Sequence, residues 1–283
     1  MKTPGSKMSR RRFLGGVFFA GAGTAGYAHF VEAEWLQTSH ITVPLSGGTR
    51  PPLKLLHLSD LHASPVVSLD YINRAISQAL LWRPDVICLT GDFVTARCDQ
   101  PEEYARVLRR LSDAAPCFAS LGNHDGGRWA YEEEGGYADV GWISEVLQDG
   151  RIPLLHNRAE ALQVRDWPLN FVGLGDMWAN YFQPELAFRN LAAGTPTILL
   201  SHNPDSKDRL GSYPWHLMLS GHTHGGQLRV PFLGTPFAPV QDQRYVAGLG
   251  RWNDRWIHVT KGIGTVYGLR INCPPEVSFL TLT

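Results

Sequence analysis

The sequence predicts an α/β fold bordering on α+β, and three observations carry that prediction. Short apolar runs recur along the chain, each ending in a cluster of Gly, Asp, Asn or His. Stretches with helical spacing separate these runs in the first half. The last third is strand-rich, with little helical pattern between its runs.

In chain order, LKLLHL (53–58) leads into Ser59-Asp60-Leu61-His62. Leu69, Ile72, Ile76, Ala79 and Leu80 then recur at helical spacing up to Pro84. VICLT (86–90) leads into Gly91-Asp92, a second helix is predicted over 101–115, and CFASL (117–121) leads into Gly122-Asn123-His124-Asp125. Residues 126–150 read as a glycine-rich loop followed by one short helix. Later strands are LNFVGL (169–174), TILLS (197–201), HLMLS (216–220), WIHVT (256–260) and VSFLTL (277–282). Of these, TILLS enters His202-Asn203-Pro204 and HLMLS enters Gly221-His222-Thr223-His224. Residues 32–52, ending in Arg50-Pro51-Pro52, read as a linker, which leaves 53–283 as the folded domain.

With 283 residues, 43% of them hydrophobic and 18% charged, the chain is globular and long enough to bury a sizeable core. Its formal net charge is zero, and no basic stripe marks a nucleic-acid groove. The cysteines at 88, 98, 117 and 273 show no C-x-x-C spacing, so neither a zinc ribbon nor a disulfide scaffold is indicated. Nothing in the pattern calls for a partner subunit, and a monomer is expected.

Residues 1–31 have a character of their own. Ser9-Arg10-Arg11-Arg12-Phe13-Leu14 precedes GGVFFAGAGTAGYA, and this pattern resembles a twin-arginine export signal. The export machinery and a periplasmic or envelope location are therefore expected. Residues 13–31 contain no Asp, Glu, Lys or Arg and are about long enough to cross a bilayer. Cleavage of the segment and its retention as a membrane anchor both stay open.

Five apolar strands end in residues of metal-ligand type: Asp60 and His62, Asp92, Asn123 with His124, His202, and His222 with His224. Random placement of eleven histidines yields about 0.4 H-x-H pairs, so His222-Thr223-His224 alone means nothing. The ordered series is what informs, because in open α/β sheets ligands bind beyond the carboxyl ends of the strands. Imidazole and carboxylate without thiolate suit Zn, Mn or Fe. Seven donors (Asp60, His62, Asp92, Asn123, His202, His222 and His224) exceed one tetrahedral site and suit two adjacent divalent ions.

The motifs DLH, GD, GNHD, SHNP and GHTH, in this order, resemble the calcineurin-like metallophosphoesterases over about residues 53–283. FAPVQDQRYVAGL (237–249) and NCPPEVSFLTL (272–282) are similar to a twin-arginine-exported bacterial phosphodiesterase branch. The resemblance implies a four-layer αββα sandwich of two mixed sheets, the metallo-dependent phosphatase fold. It further implies Asp60, His62 and His224 on a first metal, Asn123, His202 and His222 on a second, and Asp92 bridging them. His124 matches the family residue that protonates the leaving oxygen. One departure concerns the phosphoprotein phosphatase branch, whose arginine soon after GD holds phosphate. Here GDFVTARCD offers only Arg97, which argues against protein-phosphatase activity. Asp125 either orients His124 or caps the following turn.

The expected activity is hydrolysis of a small-molecule or lipid phosphodiester by a hydroxide that two ions activate. Two divalent ions set against Asp60, Asp92 and one hydroxide leave about one positive charge, which suits a diester monoanion better than a monoester dianion. The alternatives are a phosphomonoesterase, a lipid-head-group pyrophosphatase at the membrane, and a non-catalytic metal-binding envelope module. An apolar groove beside the metals would favour a lipid substrate. Trp129, Tyr131, Trp178 and Tyr181 either line that groove or serve ordinary packing. His29, His40, His57, His156, His216 and His258 read as structural.

Overall fold

A computed structural model describes residues 23–45 and 50–283. The twin-arginine-type pattern at 9–14 lies outside the described residues. Among those described, no helix is long and apolar enough to cross a membrane.

Two mixed sheets face each other. The first contains β1 (Gln37–Val43), β2 (Leu53–Leu58), β3 (Val86–Thr90), β4 (Cys117–Ser120) and β11 (Glu276–Leu282), in the order β1-β11-β2-β3-β4. The second contains β5 (Arg158–Val164), β6 (Trp167–Gly173), β7 (Thr197–Leu200), β8 (Leu217–Ser220), β9 (Gly248–Trp252) and β10 (Arg255–Val259), in the order β5-β6-β7-β8-β10-β9. β2, β3 and β4 run parallel, as do β6, β7, β8 and β10.

The alternation of side chains along each strand builds three apolar layers. Leu53, Leu55, Val86, Phe118, Phe171 and Leu219 pack between the sheets. Leu56, Leu58 and Ile87 point to the other face of the first sheet. They meet α1 (Leu69–Leu80), α2 (Pro101–Ala114) and α4 (Gly141–Asp149) there. Ser68 caps α1 by accepting the Tyr71 N–H, and Pro101 opens α2 where no N–H is needed. On the far side of the second sheet, Leu199, Met218 and Ile257 meet Trp215, Tyr245 and the one-turn α5 (Pro184–Ala187). The fourth layer is therefore short turns and aromatic side chains rather than long helices.

Two readings change. The predicted linker, 32–52, holds strand β1, which pairs in parallel with β11 from Gln37–Glu276 to Val43–Leu282. QTSHITV is a half-exposed edge strand whose partner is the last strand of the chain, so no local pattern announces it. The segment 126–150 carries two helices, α3 (Arg128–Glu134) and α4, because Gly135 takes a left-handed φ of 66° and ends the first.

Candidate metal centre

Asp60 and His62 follow β2, Asp92 follows β3, and Asn123 and His124 follow β4. His202 follows β7, while His222 and His224 follow β8. Parallel strands of both sheets thus deliver all eight side chains to one rim, and each is at most 6% exposed.

Ligand atoms of Asp60, His62, Asp92 and His224 lie within 4.8 Å of one another, and those of Asp92, His202 and His222 do the same. Asp92 belongs to both groups. Its Oδ2 is 3.0 Å from His202 Nε2 and 3.5 Å from His62 Nε2. His62 Nε2 and His224 Nε2 are 3.0 Å apart, and His224 Nε2 is 3.4 Å from Asp60 Oδ1. Ring nitrogens and carboxylate oxygens therefore crowd one space instead of each finding a separate partner. Asp60 Oδ2, Asn123 Oδ1 and His222 Nε2 are buried with no hydrogen-bond partner among the described residues. Buried acceptors left so are costly unless something fills them. Hard oxygens, imidazole nitrogens and no thiolate fit divalent cations of the Mn, Zn and Fe kind.

The local electrostatics agree. Burial lowers His62 and His222 to about 3, which keeps both rings neutral with a lone pair to offer. Burial would lower His202 as well, but the Asp92 carboxylate, with Asp60 and Asp176, pushes it up to about 10. Against its own burial, Asp92 is held well below the usual carboxylate range by His202, His124 and His62. Asp60 rises to about 6, chiefly through burial. Without cations, a His202 imidazolium balances Asp92, and it must lose its proton before it can serve as a ligand.

The backbone is strained at the same points. Asp60, His62, Asp92, His222 and His224 have φ of 53°, 50°, 54°, 69° and 49°. Non-glycine residues take this region rarely, and each instance persists only where its surroundings enforce it. The enforcement is visible. Asp60 N–H donates to Gly91 O, and His62 N–H donates to Asp92 O, both at 2.9 Å. Asp60 Oδ1 accepts the His222 N–H and Asp92 Oδ1 accepts the His124 N–H, each at 3.0 Å. Asp92 thus ties down the β4 loop with Oδ1 and keeps Oδ2 for the shared space, whereas Asp60 Oδ1 both holds the β8 loop and faces His224. Gly122 and Gly221 make this approach feasible, since a Cβ would overlap the Asp92 carboxylate at the first and the Asp60 carboxylate at the second.

Asp125 is resolved in favour of the backbone. It accepts N–H groups from Asp92, Phe93 and Gly122 at 2.6–2.8 Å, clamping the β3 and β4 loops together. The His124 ring is oriented instead by the Thr95 carbonyl, 2.7 Å from Nδ1. The Thr90 carbonyl holds His202 Nδ1 at 2.6 Å, which directs Nε2 to Asp92. Two supporting residues escaped the sequence reading. Arg270 is fully buried, lies 3.4 Å from His224 Nδ1, and donates to the Lys261 and Cys273 carbonyls. Asp176 accepts the Trp178 and Ala179 N–H groups in the turn after β6. Both stand alone in apolar or glycine-rich sequence, and no spacing marks them.

A cavity of about 420 Å³ opens over the cluster. Trp129 and Trp178 form one wall, with ring centroids 5.8 Å apart. Trp129 packs edge-on against His124, and Trp178 against His222. Tyr131 is exposed and Tyr181 packs on His156, both away from this wall. Arg97 donates to the Gly135 and Gly136 carbonyls and does not line the cavity. His57 and His258 pair with each other between the sheets, Nδ1 to Nδ1 at 2.9 Å, as structural residues would.

Comparison with known proteins agrees with this geometry. A family model described as calcineurin-like phosphoesterase matches residues 53–226. The chain is 41% identical over 278 residues to phosphodiesterase YaeI of Escherichia coli (strain K12), covering 97% of this chain and 99% of that protein. It is 31% identical to the uncharacterized metallophosphoesterase YkuE of Bacillus subtilis (strain 168), covering 98% of each. It is 28% identical to the UDP-2,3-diacylglucosamine pyrophosphatase LpxG of Chlamydia trachomatis, covering 81% of this chain and 83% of that protein.

Proposed function

The chain belongs to the calcineurin-like phosphoesterase family, and from that premise we propose that it is a phosphodiesterase of the cell envelope working with two divalent cations. The observation that carries this reading is Asp92, whose carboxylate is common to two separate ligand groups. Asp60, His62 and His224 would hold one cation with Asp92, and His202, His222 and Asn123 the other. The unpartnered Asn123 Oδ1 supports its inclusion. Cations held there would supply Lewis acidity at phosphorus and a nucleophilic hydroxide at neutral pH.

The chain's own residues account for the rest of the reaction. Water's oxygen forms a new bond to phosphorus while one ester P–O bond breaks, yielding a phosphomonoester and an alcohol. The departing alkoxide needs a proton. Thr95 engages Nδ1 of His124, leaving Nε2 as the nitrogen that delivers it into the cavity. Trp129 and Trp178 exclude water from the two histidines they cover. The S-R-R-x-F-L pattern supports export by the twin-arginine route.

The test compares kcat/KM on bis-p-nitrophenyl phosphate and p-nitrophenyl phosphate after loading with Mn²⁺. The diester is expected to be the better substrate, with its turnover lost in Asp92→Asn. A strong monoester preference would overturn the diesterase assignment.

A further inference from the structure

Two uncharged segments border the cavity, and a third packs against one of them. Residues 230–240 contain no charged side chain, and neither do 263–269 or 23–31. Phe237 and Pro239 of the first line the cavity together with Val266 and Tyr267 of the second. The segment leading into the first loop and the one leaving the second are joined by a bridge between Leu228 and Ile271. The third segment docks on the other side of the same turn. His29 Nδ1 bonds the Gly268 carbonyl at 2.7 Å, and Arg270 N–H donates to the Ala28 carbonyl.

These segments do not hide their apolar side chains. Phe232 is fully exposed, and Leu233, Phe237, Tyr267 and Phe30 are each at least 69% exposed. Scattered apolar residues are ordinary, but a set carried on the loops that border one cavity and on the segment packed against them marks a surface that meets something apolar. The chain indicates what that is. Upstream of the third segment the sequence continues through 13–22 without an ionisable side chain. Aromatic and aliphatic tips around an uncharged stretch suit the interfacial zone of a bilayer.

Building on the phosphodiesterase reading, we infer that the mouth rests on a lipid bilayer and that the substrate is a phosphodiester carrying long acyl or alkyl chains. The phosphate enters over Asp92 and Asn123. The chain lies along the wall of Trp178, Phe237, Val266 and Tyr267 and runs out toward the rim at 230–240. Phe232 and Leu233 touch the bilayer rather than the substrate.

The test uses the full chain loaded with Mn²⁺ and a series of p-nitrophenyl alkyl phosphates with ethyl, octyl and dodecyl groups. The dodecyl member is also presented in phosphatidylcholine vesicles. kcat/KM is expected to rise about tenfold or more from ethyl to dodecyl. The double variant Phe232→Ser, Leu233→Ser is expected to keep the ethyl rate within about twofold and to lose about fivefold on the vesicle-borne diester. Equal kcat/KM along the series overturns the inference, as does a double variant that matches the parent on vesicles. Either result would leave the phosphodiesterase reading standing. Absence of turnover on every member ends that reading and this inference together.

Discussion

The floor of the cavity and its rim are built from opposite materials. Asp60, His62, Asp92, Asn123, His124, His202, His222 and His224 are buried, five of them at strained φ, and the loops that carry them are fastened by Asp125, Thr90 and Arg270. The rim at 230–240 and 263–269 carries no charge and leaves Phe232, Leu233, Phe237 and Tyr267 in solvent. The floor fixes its polar groups through buried hydrogen bonds, as charge placement requires, whereas the rim offers exposed apolar surface. Chemistry and substrate choice should therefore fail separately under mutation.

Asp92→Asn should break the floor most severely. With the shared carboxylate gone, diesterase turnover is expected to fall about 10³-fold, measured as kcat on bis-p-nitrophenyl phosphate. His124→Ala comes next, at about 10²-fold for alkyl leaving groups. Nitrophenolate needs little protonation, so the loss should shrink on that substrate; equal losses on both would contradict the general-acid role. Asp125→Asn touches no substrate, yet by loosening the β3 and β4 loops it is expected to weaken cation affinity about 10- to 100-fold. Competition with a chelator reads that change.

Acidity offers a finer test. His202 is protonated below about 10 in the cation-free protein and must lose that proton to bind. Cation affinity should accordingly rise with pH, by about tenfold per unit below that value where a single proton is released. Calorimetry in buffers of different ionisation enthalpy counts the proton. At the rim, Tyr267→Ala is expected to change turnover of a small soluble diester by only about twofold, because lost apolar contact matters little to a substrate that makes none. A loss comparable to that of His124→Ala would erase the distinction between the two regions.

How much of this was legible beforehand depends on where each strand lies in its sheet. Central strands such as VICLT and TILL are buried on both faces and read as continuous apolar runs. β1, β5 and β9 lie at sheet edges and are half-exposed, and their mixed residues blended into the loops around them. The ligand candidates were legible because the same event repeats, a strand ending in Asp, Asn or His, and six of the seven fall into two groups that share Asp92. Arg270 and Asp176 were not legible, since each works through contacts between segments distant in sequence. The apolar rim was invisible for another reason. Uncharged residues at 230–240 read equally as core or surface until the fold exposes them.

The central claim is that Asp92 joins two cation sites into one centre. Equilibrium dialysis of the chelator-stripped protein against Mn²⁺, followed by elemental analysis, tests it most directly. Two Mn²⁺ per chain are expected, with diesterase turnover following occupancy of the second. Full turnover with one ion per chain, or with none, would contradict it.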